Sequence, residues 1–291
     1  MLISMMNNGK LLLIGGALEP SPKEQVFAKF IDLAGGKDCN IGIIPTASNE
    51  IPETMSRYEI AFRSMGINAI TPLVITNRED SNDSKFTKLL KDLDGIFITG
   101  GDQLRLTSIL GGSSFLDALN EFLQDHIIGG TSAGAAAVPD TMISWGDPGS
   151  FTKGMLKMSP GLGMVRDMVI DTHFVRRGRI TRLLHMVAEN PGILGIGLSE
   201  ATAMLLETQN KTLEVLGEGS VILVDGRNIN YSNISQIQVE KAISVENVVL
   251  HALSEGHMFN YETHKLINTP KYDSKKNTPR STIDMNDQPQ S

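Results

Sequence analysis

Short apolar runs recur along the first half of the chain, and segments with helical spacing separate them. Leu11 to Ile14, Ile41 to Ile44, Ile70 to Ile75, Gly95 to Ile98 and the pair Ile127-Ile128 read as strands. Lys23 to Leu33, Pro52 to Met65, Ser84 to Leu90 and Phe115 to Phe122 instead carry apolar residues three and four apart, the spacing of a helix with one buried face. Parallel strands need a crossover between them, so this alternation predicts an α/β fold, a doubly wound, mainly parallel sheet. Such sheets bind ligands beyond the carboxyl ends of their strands. Four polar or glycine-rich segments directly follow strands: Gly15-Gly16-Ala17, Pro45-Thr46-Ala47-Ser48, Thr99-Gly100-Gly101-Asp102-Gln103 and Gly130-Thr131-Ser132-Ala133-Gly134. They are expected to converge on one crevice.

The second half continues with a strand at Val169-Ile170-Asp171, a helix from about Arg179 to Val187, and strands near Leu194 to Leu198 and Ala203 to Leu206. Leu213 to Leu216, Ser220 to Val224 and Val248 to Leu253 read as additional antiparallel strands, with Asp225-Gly226 as a turn. From His264 the composition turns polar and is punctuated by Pro270, Pro279 and Pro289. The expected organisation is one catalytic α/β domain over 1–263 and a disordered tail over 264–291.

Composition narrows the function classes. Hydrophobic residues make up 41% and charged residues 20%, an ordinary globular balance. The net charge of -7 argues against a nucleic-acid backbone or an anionic membrane as principal partner and leaves room for a cationic substrate. Cys39, the one cysteine, excludes an internal disulfide and a multi-cysteine zinc site, and reads as a buried structural thiol. No run approaches the roughly 18 apolar residues of a membrane span, and Met1 to Lys10 lacks the pattern of a signal peptide, so the expected location is cytoplasmic. Nothing in the pattern calls for a metal or a cofactor.

Gly130 to Gly134 carries the strongest chemistry. A serine between a strand and a helix, flanked by glycines two residues away on each side, matches a nucleophile elbow whose helix would direct its positive end at the site. A serine needs a base. His173 ends the predicted strand in Asp171-Thr172-His173-Phe174, at the crevice, whereas His126, His185, His251, His257 and His264 lie elsewhere. Arg176, Arg177, Arg179 and Arg182 follow it, opposing the dipole of the helix they begin. Arg176 and Arg177 read as a solvated basic face, and Arg179 and Arg182, three apart, as inward-facing groups. Glu200, just past the strand Gly195 to Leu198, is a candidate for the acid that orients the imidazole. The amides of Ala133 and of the Gly100-Gly101 turn would hold an oxyanion, while Asp102 reads as a helix cap and Gly15-Gly16 as a tight turn.

These segments, together with Ser159-Pro160-Gly161-Leu162-Gly163-Met164 and Arg177-Gly178-Arg179, resemble in order the motif set of cyanophycinases over about residues 10–260. Cyanophycinases are serine exopeptidases that release β-aspartyl-arginine dipeptides from the storage polymer cyanophycin. Peptidase E shares the elbow architecture, and both resemble the class I glutamine amidotransferase fold. The resemblance implies Ser132 as nucleophile, His173 as base and Glu200 as the acid behind it. It also implies Gln103, Asp171, Thr172, Arg179 and Arg182 as substrate-pocket groups, with acids on the guanidinium and arginines on carboxylates, and a homodimer. The chain departs from the family pattern at Thr172, where glutamine is common, at Ser199 and Ala201, where aspartates are common, and at the bulky Trp145. An aspartyl or isoaspartyl dipeptidase is therefore a rival reading. A noncatalytic binder of arginine-bearing peptides is another, although it would not need Ser132, His173 and Glu200 together.

Overall fold

The computed structural model describes residues 9–18, 21 and 24–270, and the features below concern these residues. The first five strands, β1 (Lys10–Ile14), β2 (Asn40–Ile44), β3 (Ala69–Pro72), β4 (Gly95–Ile98) and β5 (Ile127–Thr131), pair in parallel in the order β1-β5-β4-β2-β3. Between them run α1 (Gln25–Leu33), α2 (Ile51–Ser64), α3 (Ser84–Leu89), α4 (Gln103–Leu110) and α5 (Ser114–Phe122). The expected doubly wound sheet is thus present.

Residues on a strand face alternate sides, and β1 shows what this does when both sides are covered. Leu12 and Ile14 join Phe27, Phe30, Phe62 and Phe97 on one face, while Leu11 and Leu13 join a second apolar cluster on the other. Phe27, Phe30 and Phe62 each lie within 5.4–6.4 Å, ring centre to centre, of another ring in a cluster that includes Tyr58 and Phe97. Each such ring, fully buried, contributes about 1.5–3 kcal/mol. Cys39 is buried as expected, and burial pushes its thiol up to about 11. Strand β3 ends at Pro72 instead of reaching Ile75, because proline has no amide to donate and is tolerated here at the sheet edge.

After β5 come α6 (Ala133–Ala136), the hairpin β6 (Thr141–Gly146) and β7 (Leu156–Pro160), then β8 (Met168–Asp171), α7 (Ile180–Glu189), β9 (Leu194–Leu198), β10 (Thr202–Glu207), β11 (Thr212–Gly217) and β12 (Val221–Asp225). A small hairpin, β13 (Tyr231–Ser232) and β14 (Val245–Glu246), precedes β15 (Val249–Leu253), β16 (Met258–Asn260) and β17 (Lys265–Asn268). Strand β10 lies antiparallel beside β1, and β11, β16 and β17 extend that side into a nine-stranded sheet. Strands β8, β9, β12 and β15 form a separate four-stranded sheet. Ile170, Ile196, Leu198 and Leu223 share an apolar cluster with Leu11 and Leu13 of the main sheet. Val169 and Val224 pack with Leu183, Met186 and Val187 of α7 in another cluster.

The boundary expected at His264 is corrected by β17. Leu266 pairs with Phe259, and the His264 ring reaches the buried Asp225 at 2.7 Å, so this segment belongs to the sheet despite its polar composition. The rest of the expected tail, 271–291, lies outside the described residues. Among the described residues no helix is long and apolar enough to cross a membrane.

Candidate active site

Strand β5 delivers Ser132 to the carboxyl edge of the main sheet. The chain reverses so sharply there that Ser132 takes φ 52° and ψ -111°, a conformation that costs a non-glycine residue about 1–3 kcal/mol. Its amide donates to the Ile14 carbonyl of β1 at 3.0 Å, which fixes the turn from below. Helix α6, expected to direct a dipole at the site, spans only four residues, so main-chain amides rather than a macrodipole make the local field.

His173 follows β8, and Glu200 follows β9. Ser132 Oγ lies 3.0 Å from His173 Nε2, and His173 Nδ1 lies 2.6 Å from Glu200 Oε1. The carboxylate can only accept, so Nδ1 carries the hydrogen and Nε2 is left to accept from the serine hydroxyl. Arg176 donates through Nη1 to Glu200 Oε2 at 2.8 Å. Hydrogen bonds from Arg176, and then from His173, hold the Glu200 carboxyl below its usual range.

The turn after β1 underlies all three groups. His173 N donates to Gly15 O at 2.8 Å, Gly15 N donates to Thr202 O at 2.9 Å, and Ala201 N donates to Gly16 O at 3.0 Å. Gly16 has φ 109°, and a Cβ there would stand 2.4 Å from His173 Cε1. The pair expected to be no more than a tight turn is therefore the bed of the imidazole. Its role was hidden in sequence because its partners lie far along the chain.

Beside the serine, the Gly100-Gly101 turn follows β4. A Cβ on Gly100 would be 4.0 Å from Ser132 Oγ, and one on Gly101, where φ is 144°, would collide with the Ala47 carbonyl at 2.0 Å. Among the described residues, no hydrogen bond uses the amides of Gly100, Gly101 or Ala133. Asp102 caps α4, as expected, by accepting from Leu104 N and Arg105 N.

Of the expected pocket groups, Thr172, Arg179 and Arg182 gather around Asp171, which is 3% exposed, whereas the Gln103 side chain meets a carbonyl of β6. Arg179 Nη1 donates to Asp171 Oδ1 at 2.9 Å and to the Thr172 carbonyl at 2.7 Å. Arg182 Nε lies 3.0 Å from Asp171 Oδ2 without hydrogen-bond geometry. Burial pushes the Asp171 carboxyl up, and the charges of Arg182 and Arg179 oppose that push. Both carboxylate oxygens face this chain's own guanidiniums. Gln103 Nε2 donates to Ile143 O of β6 at 3.3 Å, Thr181 Oγ1 donates to Pro148 O, and a Cβ on Gly146 would stand 3.4 Å from Arg182, so the β6–β7 hairpin lies against Gln103 on one side and α7 on the other. Trp145, at an irregularity in that hairpin, is 48% exposed. Arg176 is the group that sequence reasoning missed: nothing in its basic neighbourhood distinguishes an arginine reaching Glu200 from a solvated one.

A serine on a strained strand end, linked through histidine to a carboxylate, is the constellation of serine-type peptidases. Residues 11–215 match the model of peptidase family S51. Cyanophycinases from Synechococcus elongatus and Thermosynechococcus vestitus are each 37% identical to this chain over 264 residues, covering 89% of it and 81% of the relative. A cyanophycinase from Geminocystis herdmanii is 34% identical over 258 residues, covering 88% of this chain and 94% of its own. The crystal structure of a peptidase from an acI-B1 Actinobacterium superposes with a TM-score of 0.68 at 19% identity, covering 89% of this chain and 100% of that one, and so shares the fold. The chain belongs to peptidase family S51 and is a serine-type peptidase.

Proposed function

We propose that the chain hydrolyses cyanophycin, multi-L-arginyl-poly-L-aspartate, as an exopeptidase that releases β-Asp-Arg dipeptides. Ser132 Oγ attacks an aspartyl main-chain carbonyl while His173 Nε2 takes its proton and later gives it to the leaving amine. Glu200 holds the imidazole and stabilises the imidazolium. The amides of Ala133 and of the Gly100-Gly101 turn receive the oxyanion, and water then hydrolyses the acyl-enzyme. Gln103, Thr172, Arg179 and Arg182 are assigned to the substrate, with Asp171 holding the two arginines in place.

The observation that supports this reading most is the unbroken chain of hydrogen bonds from Ser132 through His173 to Glu200, at 3.0 and 2.6 Å, beside main-chain amides free to donate. The substrate follows from likeness to the cyanophycinases. By family resemblance we assign a homodimer, and from the sequence pattern of the first residues a cytoplasmic location, to be checked by light scattering and cell fractionation. Incubation of the purified protein with cyanophycin should release β-aspartyl-arginine, identified by mass spectrometry. Hydrolysis of soluble aspartyl dipeptides with none of the polymer would favour the dipeptidase reading, and binding without hydrolysis the noncatalytic one.

A further inference from the structure

Glu200 has two oxygens with different partners. Oε1 meets the imidazole, and Oε2 meets Arg176, whose side chain is 73% exposed where that of Glu200 is 20% exposed. A carboxylate held by the imidazole alone could rotate about its last torsion, a broad and weakly restrained one, and swing Oε1 off Nδ1. A second charge-assisted bond on the opposite oxygen removes that freedom. Arg176 is well placed for it: it lies in the turn just after His173, whose carbonyl accepts from Arg177 N at 3.0 Å, so the base and the clamp on its acid share one short segment.

We infer that Arg176 is a positioning residue of the catalytic machinery, fixing Glu200 so that the carboxylate presents Oε1 to His173 throughout turnover. The inference rests on the triad reading above, since it gives Arg176 a task only if Glu200 orients the base. The charged groups acting on Glu200 are Arg176 and His173. Glu24, Glu218 and Glu255 line a neighbouring cavity with Ala201. A solvated arginine would by contrast leave Glu200 indifferent to its removal.

The test compares Arg176→Gln and Arg176→Lys with the parent enzyme and with Ser132→Ala, following dipeptide release from cyanophycin across pH. Because the arginine end of the pair is exposed, the expected effect is modest: Arg176→Gln lowers kcat by about three- to fivefold, within what an exposed ion pair supplies, and leaves KM within about twofold. Arg176 is a cause of the low Glu200 pKa, so its loss lets the carboxylate take up a proton at higher pH. The acid limb of kcat therefore moves upward in Arg176→Gln, and Arg176→Lys restores most of both effects. A raised KM with unchanged kcat and pH profile would overturn the proposal in favour of a substrate contact. Unchanged kinetics throughout would overturn it outright. The Ser132→Ala control separates the two levels: if that variant still turns over, the triad reading itself fails and the inference with it. If it is dead while Arg176→Gln is normal, only the inference fails.

Discussion

The nucleophile and its partners come from two different sheets and are held by different means. Ser132 projects from β5, inside the nine-stranded sheet, and is fixed almost wholly by main chain: a strained φ, a hydrogen bond to Ile14, and glycines that allow close approach. His173 and Glu200 extend from β8 and β9 of the four-stranded sheet, and the orientation of Glu200 depends on side chains, one of them largely in solvent. Backbone fixes the attacking atom, which tolerates little displacement. Side chains set the acid, which tolerates adjustment. The turn at Gly15-Gly16 is the seam, since it bonds to both halves.

The largest effect falls on the nucleophile side. Ser132→Ala keeps a small residue at the elbow and should lower dipeptide release by about a thousandfold or more while the circular dichroism spectrum stays unchanged. His173→Ala should do nearly the same, and the double variant should lose little more than either alone, because members of one catalytic unit are not additive. Multiplying losses would break the link between the two sheets.

The seam comes next. Gly16→Ala places a methyl group in a left-handed backbone position and 2.4 Å from the imidazole, so the ring must move. A displacement of about 1 Å is worth on the order of a hundredfold in rate, so kcat should fall by that order, with a smaller change in KM. A Gly16→Ala enzyme with normal kcat would show that His173 is set from elsewhere.

On the four-stranded side, Asp171→Ala leaves Arg179 and Arg182 with no buried counter-charge. Removing one partner of such a pair costs about 3–5 kcal/mol, which urea denaturation would measure. Because the carboxylate faces this chain's own guanidiniums, activity should fall alike on arginine-bearing, lysine-bearing and neutral substrates. Selective loss on arginine substrates would instead make Asp171 a direct contact.

The smallest effect concerns the far end of β12. Burial raises the Asp225 carboxyl, but hydrogen bonds from Arg227 and His264 outweigh it and bring it to about 2. A depressed carboxylate stabilises the fold above its unfolded pKa near 4, and this contribution is lost as pH falls towards 2. His264→Ala should remove part of it, about 1 kcal/mol in denaturation at neutral pH, with kcat unchanged. No change in stability would leave β17 tied down by strand pairing alone.

Much of this was legible in the sequence, and unevenly so. The runs of β1, β2, β4 and β5 are apolar on both faces, which makes buried strands conspicuous, and the elbow is a local pattern that needs no distant partner. His173 was marked by its place at a strand end, and Glu200 mainly by resemblance. The β6–β7 hairpin escaped because Ser144, Trp145 and Gly146 interrupt the alternation, at a point where the register also shifts. Strand β17 escaped because Lys265 and Asn268 make a short edge strand look like tail. Gly15-Gly16 and Arg176 were unreadable for a different reason: their meaning lies in residues more than twenty positions away, and composition carries no trace of that.

The position of β1 also bears on when the enzyme becomes active. This strand comes early in the chain, yet it lies between β5 and β10, and its following turn accepts hydrogen bonds from His173 and Ala201. A growing polypeptide on the ribosome therefore gains β5 before half of the sequence has been made, but holds β1 without β10 until more than two-thirds has been made. Contacts so distant along the chain form late. On the catalytic reading above, a nascent chain, or one terminated before Glu200, has a serine without its acid, and hydrolysis waits until that part of the fold is made.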